Sequence, residues 1–162
     1  MNKKAYFAGG CFWCITPIFK EIPGVFEVIS GYCGGKTINP SYEDVKSQTT
    51  GHRETICITY DESVEYGTLV DIFLNNVDPY DEFGQFIDKG HSYTLAIYYS
   101  NDDELKIAQQ KIKQLEDKTN KKTYISLEPF EVFYKAEEYH QDYYLKNPEA
   151  FEKELIESGR KK

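Results

Sequence analysis

Two of the four cysteines and the chain's only tryptophan fall within Gly9-Gly10-Cys11-Phe12-Trp13-Cys14. A thiol delivered by a Gly-Gly pair and followed at once by two large aromatic side chains suits nucleophilic attack beside a small apolar group. The reactive form of such a thiol is the thiolate, which helix N-terminal amides favour. Phe12 and Trp13 supply an apolar wall next to the sulfur. The plainer alternative is an inert buried Cys11 among core aromatics, the common fate of an isolated Cys-aromatic pair. Cys11 and Cys14 also form a C-x-x-C, the spacing of thioredoxin-like oxidoreductases, although Phe-Trp is an unusual filling for it. A zinc site needs a second ligand pair, and Cys33, Cys57, His52, His91 and His140 are scattered along the chain.

The elements around this thiol follow from the apolar spacing. Ala5 to Ala8 reads as a strand and Trp13 to Lys20 as a helix, so Cys11 stands at a strand-to-helix junction. Val25 to Tyr32 is strand-like and ends in Gly31-Tyr32-Cys33-Gly34-Gly35, read as a flexible loop that continues to Pro40. Ser41 to Val45 suits one helical turn. Ile56, Ile58 and Tyr60 share one face of a strand, with Thr55, Cys57 and Thr59 on the other. Tyr66, Leu69, Val70, Phe73, Leu74 and Val77 keep the helical period up to a stop at Asp78-Pro79. A long loop is expected from Tyr80 to about Ser92, then a strand through Leu95, Ile97 and Tyr99. Asn101 caps a helix with the stripe Leu105, Ala108, Ile112 and Leu115. Phe130 to Tyr134 is a weaker strand, and Asn147-Pro148 opens a last helix that Gly159 closes. Strands and helices interleave irregularly, which predicts an α+β fold rather than a doubly wound sheet. The loops before Cys11, after Tyr32 and after Asp78 are the natural places for a site.

At 162 residues, with no repeat or linker, the chain reads as a single domain over 1–162 with room for a full core. A net charge of −8 argues against nucleic acid or an anionic membrane as partner. Met1-Asn2-Lys3-Lys4 before an apolar run ending at Cys11 imitates a lipoprotein signal. The run Ala5 to Gly10 is shorter than the usual minimum of about seven residues, and no later stretch is long enough to span a membrane. A cytoplasmic protein is expected, in which the four cysteines are thiols rather than structural disulfides.

Gly10-Cys11-Phe12-Trp13 resembles the signature of the A-class peptide methionine sulfoxide reductases. Further blocks follow in register. Pro23-Gly24-Val25, Ser30-Gly31-Tyr32 and Gly34-Gly35 come first, then Asn39-Pro40-Ser41-Tyr42-Glu43-Asp44-Val45 and Thr50-Gly51-His52 with Glu54. Asp78-Pro79, Asp88-x-Gly90-x-x-Tyr93 and Tyr134-x-Ala136-Glu137-x-x-His140-Gln141-x-Tyr143-Tyr144 complete the set. Motifs in register over roughly residues 5 to 150 are far more specific than any one of them.

The resemblance implies a ferredoxin-like core in a two-layer mixed sheet with packed helices. It implies reduction of methionine S-sulfoxide, free or in peptides and proteins, with thioredoxin or another thiol as reductant and no cofactor or metal. Under it, Cys11 attacks the sulfoxide sulfur and becomes a sulfenic acid, and Glu54 protonates the oxygen. Phe12 and Trp13 cradle the S-methyl group, Tyr42 and Tyr93 bind the oxygen, and Asp88 is a polar neighbour. His52 is either an orienting group or scaffold, and His140 has no derivable role. A binder of methionine-containing peptides would need neither Cys11 nor Glu54. Some relatives carry selenocysteine at the nucleophile position.

The chain departs from the common pattern in three places. Cys14, Thr16 and Pro17 stand where many members have Gly and then Glu; Lys89-Gly90-His91-Ser92-Tyr93-Thr94 replaces a Gly-Thr-Gln-Tyr-Arg loop; and no Cys lies beyond Cys57. Recycling of Cys11 therefore falls to Cys14, one helical turn away, to Cys33 swinging in from its loop, or to an external thiol, in that order. Cys57, held in a strand ladder, is the least able to move.

Overall fold

Ala5, Tyr6, Phe7 and Ala8 are all buried, so the strand that carries them must be covered on both faces. In the computed structural model, which describes residues 2–141 and 143–157, that strand is β1 (Lys3–Gly9), third in a six-stranded sheet. The chain continues through α1 (Phe12–Lys20), β2 (Val25–Cys33), α2 (Tyr42–Lys46), β3 (Arg53–Tyr60) and α3 (Tyr66–Asn75). A small hairpin, β4 (Gly84–Gln85) and β5 (Asp88–Lys89), precedes β6 (Leu95–Tyr99), α4 (Asp102–Thr119) and β7 (Ile125–Pro129). The last elements are β8 (Phe133–Lys135), α5 (Tyr143–Lys146) and α6 (Pro148–Glu157).

The sheet order is β7-β6-β1-β3-β2-β8. Its middle, β6-β1-β3-β2, is antiparallel throughout and is connected β1-α1-β2-β3-α3-β6. That is the expected ferredoxin-like core. β7 joins β6 in parallel after the α4 crossover, as a βαβ connection requires, and β8 closes the opposite edge against β2. The sheet is therefore mixed. Phe7, Val28, Tyr32, Ile56 and Ile58 face Phe12, Ile15 and Phe19 of α1 and Leu69, Val70 and Phe73 of α3. The other face carries Tyr6, Ala8, Cys33, Cys57, Ala96 and Tyr98, covered by Phe130 and Phe133. Tyr6 stacks on Phe130 with ring centroids 3.9 Å apart.

Four expectations need correction. The segment Gly31–Cys33 is not loop: β2 runs on to Cys33, because Gly31, Tyr32 and Cys33 pair with β3 on one side and β8 on the other. The Tyr80–Ser92 loop contains the β4–β5 hairpin and a single 3₁₀ turn, His91–Tyr93. α3 stops at Asn75, ahead of Val77, where Asn76 leaves helical geometry as the C-cap. The strand expected at Phe130–Tyr134 forms as Phe133–Lys135, and Ile125–Pro129 is an edge strand that short alternation did not reveal. The expected stop at Gly159 lies outside the described residues. Among the described residues no helix is long and apolar enough to cross a membrane.

Candidate active site

Gly10 adopts φ 85°, a conformation open mainly to glycine, and turns β1 directly into α1. Cys11 is the N-cap of α1 and is 6% exposed. The expected strand-to-helix junction is present. Beneath it, Glu54 lies on the helix-facing row of β3 with Ile56 and Ile58, and is 2% exposed. Its Oε1 accepts the Phe12 amide at 3.2 Å, one residue from the Cys11 thiol. Burial pushes the Glu54 carboxyl up to about 8; the Phe12 amide partly offsets this and the nearby Asp88 carboxylate adds to it. Glu54 therefore holds a proton at neutral pH.

Tyr42 is the first residue of α2, and Tyr93 ends the 3₁₀ turn after the hairpin. Burial pushes both phenols up, and the acidic neighbours Glu54, Asp88 and Cys11 oppose their ionisation further once they lose their protons. Both are therefore neutral donors, close enough that each bears on the other's ionisation. Tyr93 is set by Gln48, whose amide accepts from Ser92 N at 2.9 Å and donates to Ser92 Oγ at 2.8 Å. Asp88 comes from β5; Gln85 fixes its hairpin by accepting from Asp78 N and donating to Asp78 O, each at 2.7 Å. Cys11, Glu54, Tyr42, Tyr93 and Asp88 are thus brought to one place from five elements.

The aromatic wall is built around His140, which is 1% exposed. Trp13 Nε1 donates to His140 Nδ1 at 3.0 Å. Phe12 and Tyr42 lie against the same imidazole at 5.2 and 4.4 Å between centroids, and Tyr139 covers it at 4.0 Å. Burial holds His140 below its ordinary pKa, so the ring is neutral, with the proton on Nε2. Sequence reasoning left His140 without a role and passed over Glu137, whose carboxylate accepts from Tyr32 Oη at 2.9 Å and Tyr42 N at 3.0 Å. The matched C-terminal block was the only signal for either.

His52 is scaffold. Its Nδ1 accepts from Gly35 N at 3.0 Å, which leaves Nε2 to donate to Thr37 O at 2.8 Å. A Cβ on Gly35 would lie 2.4 Å from the His52 backbone, so only glycine fits there. His91 donates to Gly51 O from an exposed position.

The remaining thiols separate clearly. Cys14 is buried in the first turn of α1, and its amide donates to Cys11 O at 3.1 Å. It lines a 460 Å³ groove with Pro17, Val77, Phe86, Phe151 and Leu155. Cys33 is locked in β2 on the sheet face away from α1, and its Sγ donates to Val132 O at 3.2 Å. Burial pushes the Cys33 and Cys57 thiols up. Cys33 is therefore not on a loop that can swing to Cys11.

Sequence comparison agrees with this geometry. A family model described as peptide methionine sulfoxide reductase matches residues 3–162. A Bacillus velezensis protein named peptide methionine sulfoxide reductase MsrA is 48% identical over 159 residues, covering 96% of this chain and 90% of the relative. The crystal structure of Mxr1 from Saccharomyces cerevisiae in reduced form superposes with a TM-score of 0.85 at 29% identity, covering 91% of this chain and 86% of that one. Mxr1 in complex with Trx2 matches in fold, with a TM-score of 0.58 at 21% identity over 88% of this chain and 84% of that one. With the family model matched over nearly its whole length and the cysteine, carboxyl and aromatic wall assembled at one helix start, the chain belongs to the peptide methionine sulfoxide reductase family.

Proposed function

We propose that this single-domain protein reduces methionine S-sulfoxide, free or within peptides and proteins, to methionine in the cytoplasm, and is then recycled by thioredoxin or another thiol. The observation that carries the reading is a protonated carboxyl, Glu54, bonded to the amide next to Cys11. A sulfoxide is a poor electrophile until its oxygen is protonated. Glu54 supplies that proton, while the neutral hydroxyls of Tyr42 and Tyr93 donate to the same oxygen. Asp88 is the polar neighbour that helps to keep Glu54 protonated. Phe12 and Trp13 enclose the S-methyl group, and the Cys11 thiolate attacks sulfur. The sulfur–oxygen bond breaks, methionine leaves, and Cys11 carries the oxygen as a sulfenic acid.

A second thiol then attacks the sulfenic sulfur, and water departs as a disulfide forms. Cys14, one turn along α1, is the best-placed thiol of this chain. Cys33 is the weaker candidate, from the far face of the sheet. An external dithiol reduces the disulfide, and the complex of yeast Mxr1 with Trx2 supports such a partner. The deciding experiment supplies each epimer of a methionine sulfoxide derivative with dithiothreitol and measures methionine. The S epimer alone should be consumed, and Cys11→Ser should abolish a single turnover. Methionine formed by that variant above background would exclude Cys11 as nucleophile.

A further inference from the structure

Tyr42 reaches the site from the first residue of a five-residue helix. A helix so short has little stability of its own, so its place must be imposed from outside. Ser41 and Asp44 form a capping box, which closes the helix start upon itself and ties it to nothing else. Val45 seats the far end of the helix in the core and the Tyr42 ring rests on His140, while the hydrogen-bonded tie at its first residue is Glu137. Its Oε2 accepts the Tyr42 amide at 3.0 Å, and its Oε1 accepts the Tyr32 hydroxyl at 2.9 Å. Tyr32 belongs to β2, is wholly buried, and packs its ring against Phe12 with centroids 5.9 Å apart. One carboxylate thus spans from the sheet to the start of α2, across the loop between Cys33 and Ser41. Burial opposes ionisation of Glu137, yet the Tyr42 amide and the Tyr32 hydroxyl hold its carboxyl below the ordinary range. It is an anion at neutral pH, and hydrogen bonds to an ionised acceptor are stronger than those between neutral groups.

We propose that Glu137 is the positioning residue that sets the Tyr42 hydroxyl against the sulfoxide oxygen, by pinning the start of α2 to β2. This rests on the reading of Tyr42 as a donor to that oxygen. Glu137 uses both carboxylate oxygens on protein groups, so it acts on the reaction through what it holds, the Tyr42 backbone directly and Phe12 by way of the Tyr32 ring. The methyl-binding wall of Phe12 and Trp13 has a second support in His140, so it is held by more than this tie.

The test is a mutant cycle read by single-turnover methionine release, with folding checked by circular dichroism. Glu137→Ala should slow the step by about 10- to 100-fold, the scale expected when a reacting group is displaced by about an ångström. The substrate concentration for half-maximal rate should move much less. Glu137→Gln should recover most of the lost rate, because its amide oxygen can accept from Tyr42 and its amide nitrogen can donate to Tyr32. Tyr32→Phe keeps the buried ring and removes only one end of the tie; it serves if the alanine variant folds poorly, and should cost several-fold. In a Tyr42→Phe background, Glu137→Ala and Tyr32→Phe should each cost almost nothing more, since groups acting through one hydroxyl are not additive. Full additivity, an unaffected Glu137→Ala, or a loss in half-maximal concentration alone would overturn the proposal. Wild-type protein that releases no methionine would overturn the functional reading itself, and that is seen before any variant is compared.

Discussion

Glu54 carries the chemistry's most distinctive property, and its pH dependence follows in sign. A general acid works only while protonated, so single-turnover methionine release should fall above about pH 8, where Glu54 loses its proton. Glu54→Gln should slow the step by about a hundredfold or more and erase that alkaline limb, since an amide does not titrate there. An alkaline limb that survives the substitution would assign it to another group. Stability moves by the same linkage. The folded state keeps a proton that the unfolded chain releases near pH 4.3, so stability declines as pH rises between that value and about 8. Trp13 governs a different quantity. Trp13→Ala removes one wall of the proposed methyl pocket, so the substrate needed for half-maximal rate should rise about tenfold, the worth of a lost apolar contact. Alkylation of Cys11 by a small reagent should persist in that variant. An unchanged requirement for substrate would rule out the methyl cradle.

The first turn of α1 places Cys11 at the N-cap and Cys14 three residues on, with the Cys14 amide bonded to Cys11 O. A bridge between them needs both sulfurs turned to one side, a local change confined to that turn. One equivalent of substrate, followed by blocking of thiols and peptide mass mapping, should yield a Cys11–Cys14 disulfide. A Cys11–Cys33 bridge would require β2 to leave the sheet, and a persistent sulfenic acid would assign recycling to an external thiol alone. The outcome at Cys33 illustrates what local sequence conceals. Gly31, Gly34 and Gly35 around it read as loop, yet Gly31 lies in a ladder: a Cβ there would meet the Phe133 ring at 2.3 Å, a close approach of the neighbouring strand. The row Ile56, Ile58 and Tyr60, by contrast, was legible because a period of two needs no tertiary information, whereas Glu54, which extends that row by one step, was marked only by its motif block. α4 was nearly as plain, from its Asn101 cap to the stripe Ala108, Ile112 and Leu115, although Ile107 rather than the expected Leu105 packs on the core. β7 was not, since five residues on a parallel edge are specified by the crossover rather than by their own pattern.

Across the whole molecule, the site is completed by chain that returns from the far end of the sequence. Motif spacing brought Cys11, Glu54, Tyr42, Asp88 and Tyr93 to attention, but the supports at Glu137, His140 and Gln141 act through contacts more than ninety residues distant in sequence. No local periodicity encodes those contacts. Gln141 anchors the returning segment. Its side-chain amide accepts from Ser30 N and donates to Ser30 O, each at 2.9 Å, and it donates to Ala136 O at 3.0 Å. It therefore continues the β2–β8 ladder beyond Lys135 as a peptide group would. Ser30 passes the constraint inward, since its Oγ lies 3.2 Å from Thr16 Oγ1, which donates to Phe12 O at 2.7 Å. Gln141→Ala leaves the buried Ser30 amide unpaired, an omission that costs about 1–3 kcal/mol. At about 2–4 °C per kcal/mol for a chain of this size, the melting midpoint should fall by roughly 2–12 °C. Lys135→Ala, an exposed change on the same strand, should shift stability by no more than about 0.5 kcal/mol. Because Glu137 and His140 precede Gln141 in the segment it anchors, methionine release should slow in Gln141→Ala at temperatures where the protein is still folded. A midpoint matching the Lys135→Ala control would show that the ladder holds without Gln141, and an undiminished rate would separate the anchor from the site it supports.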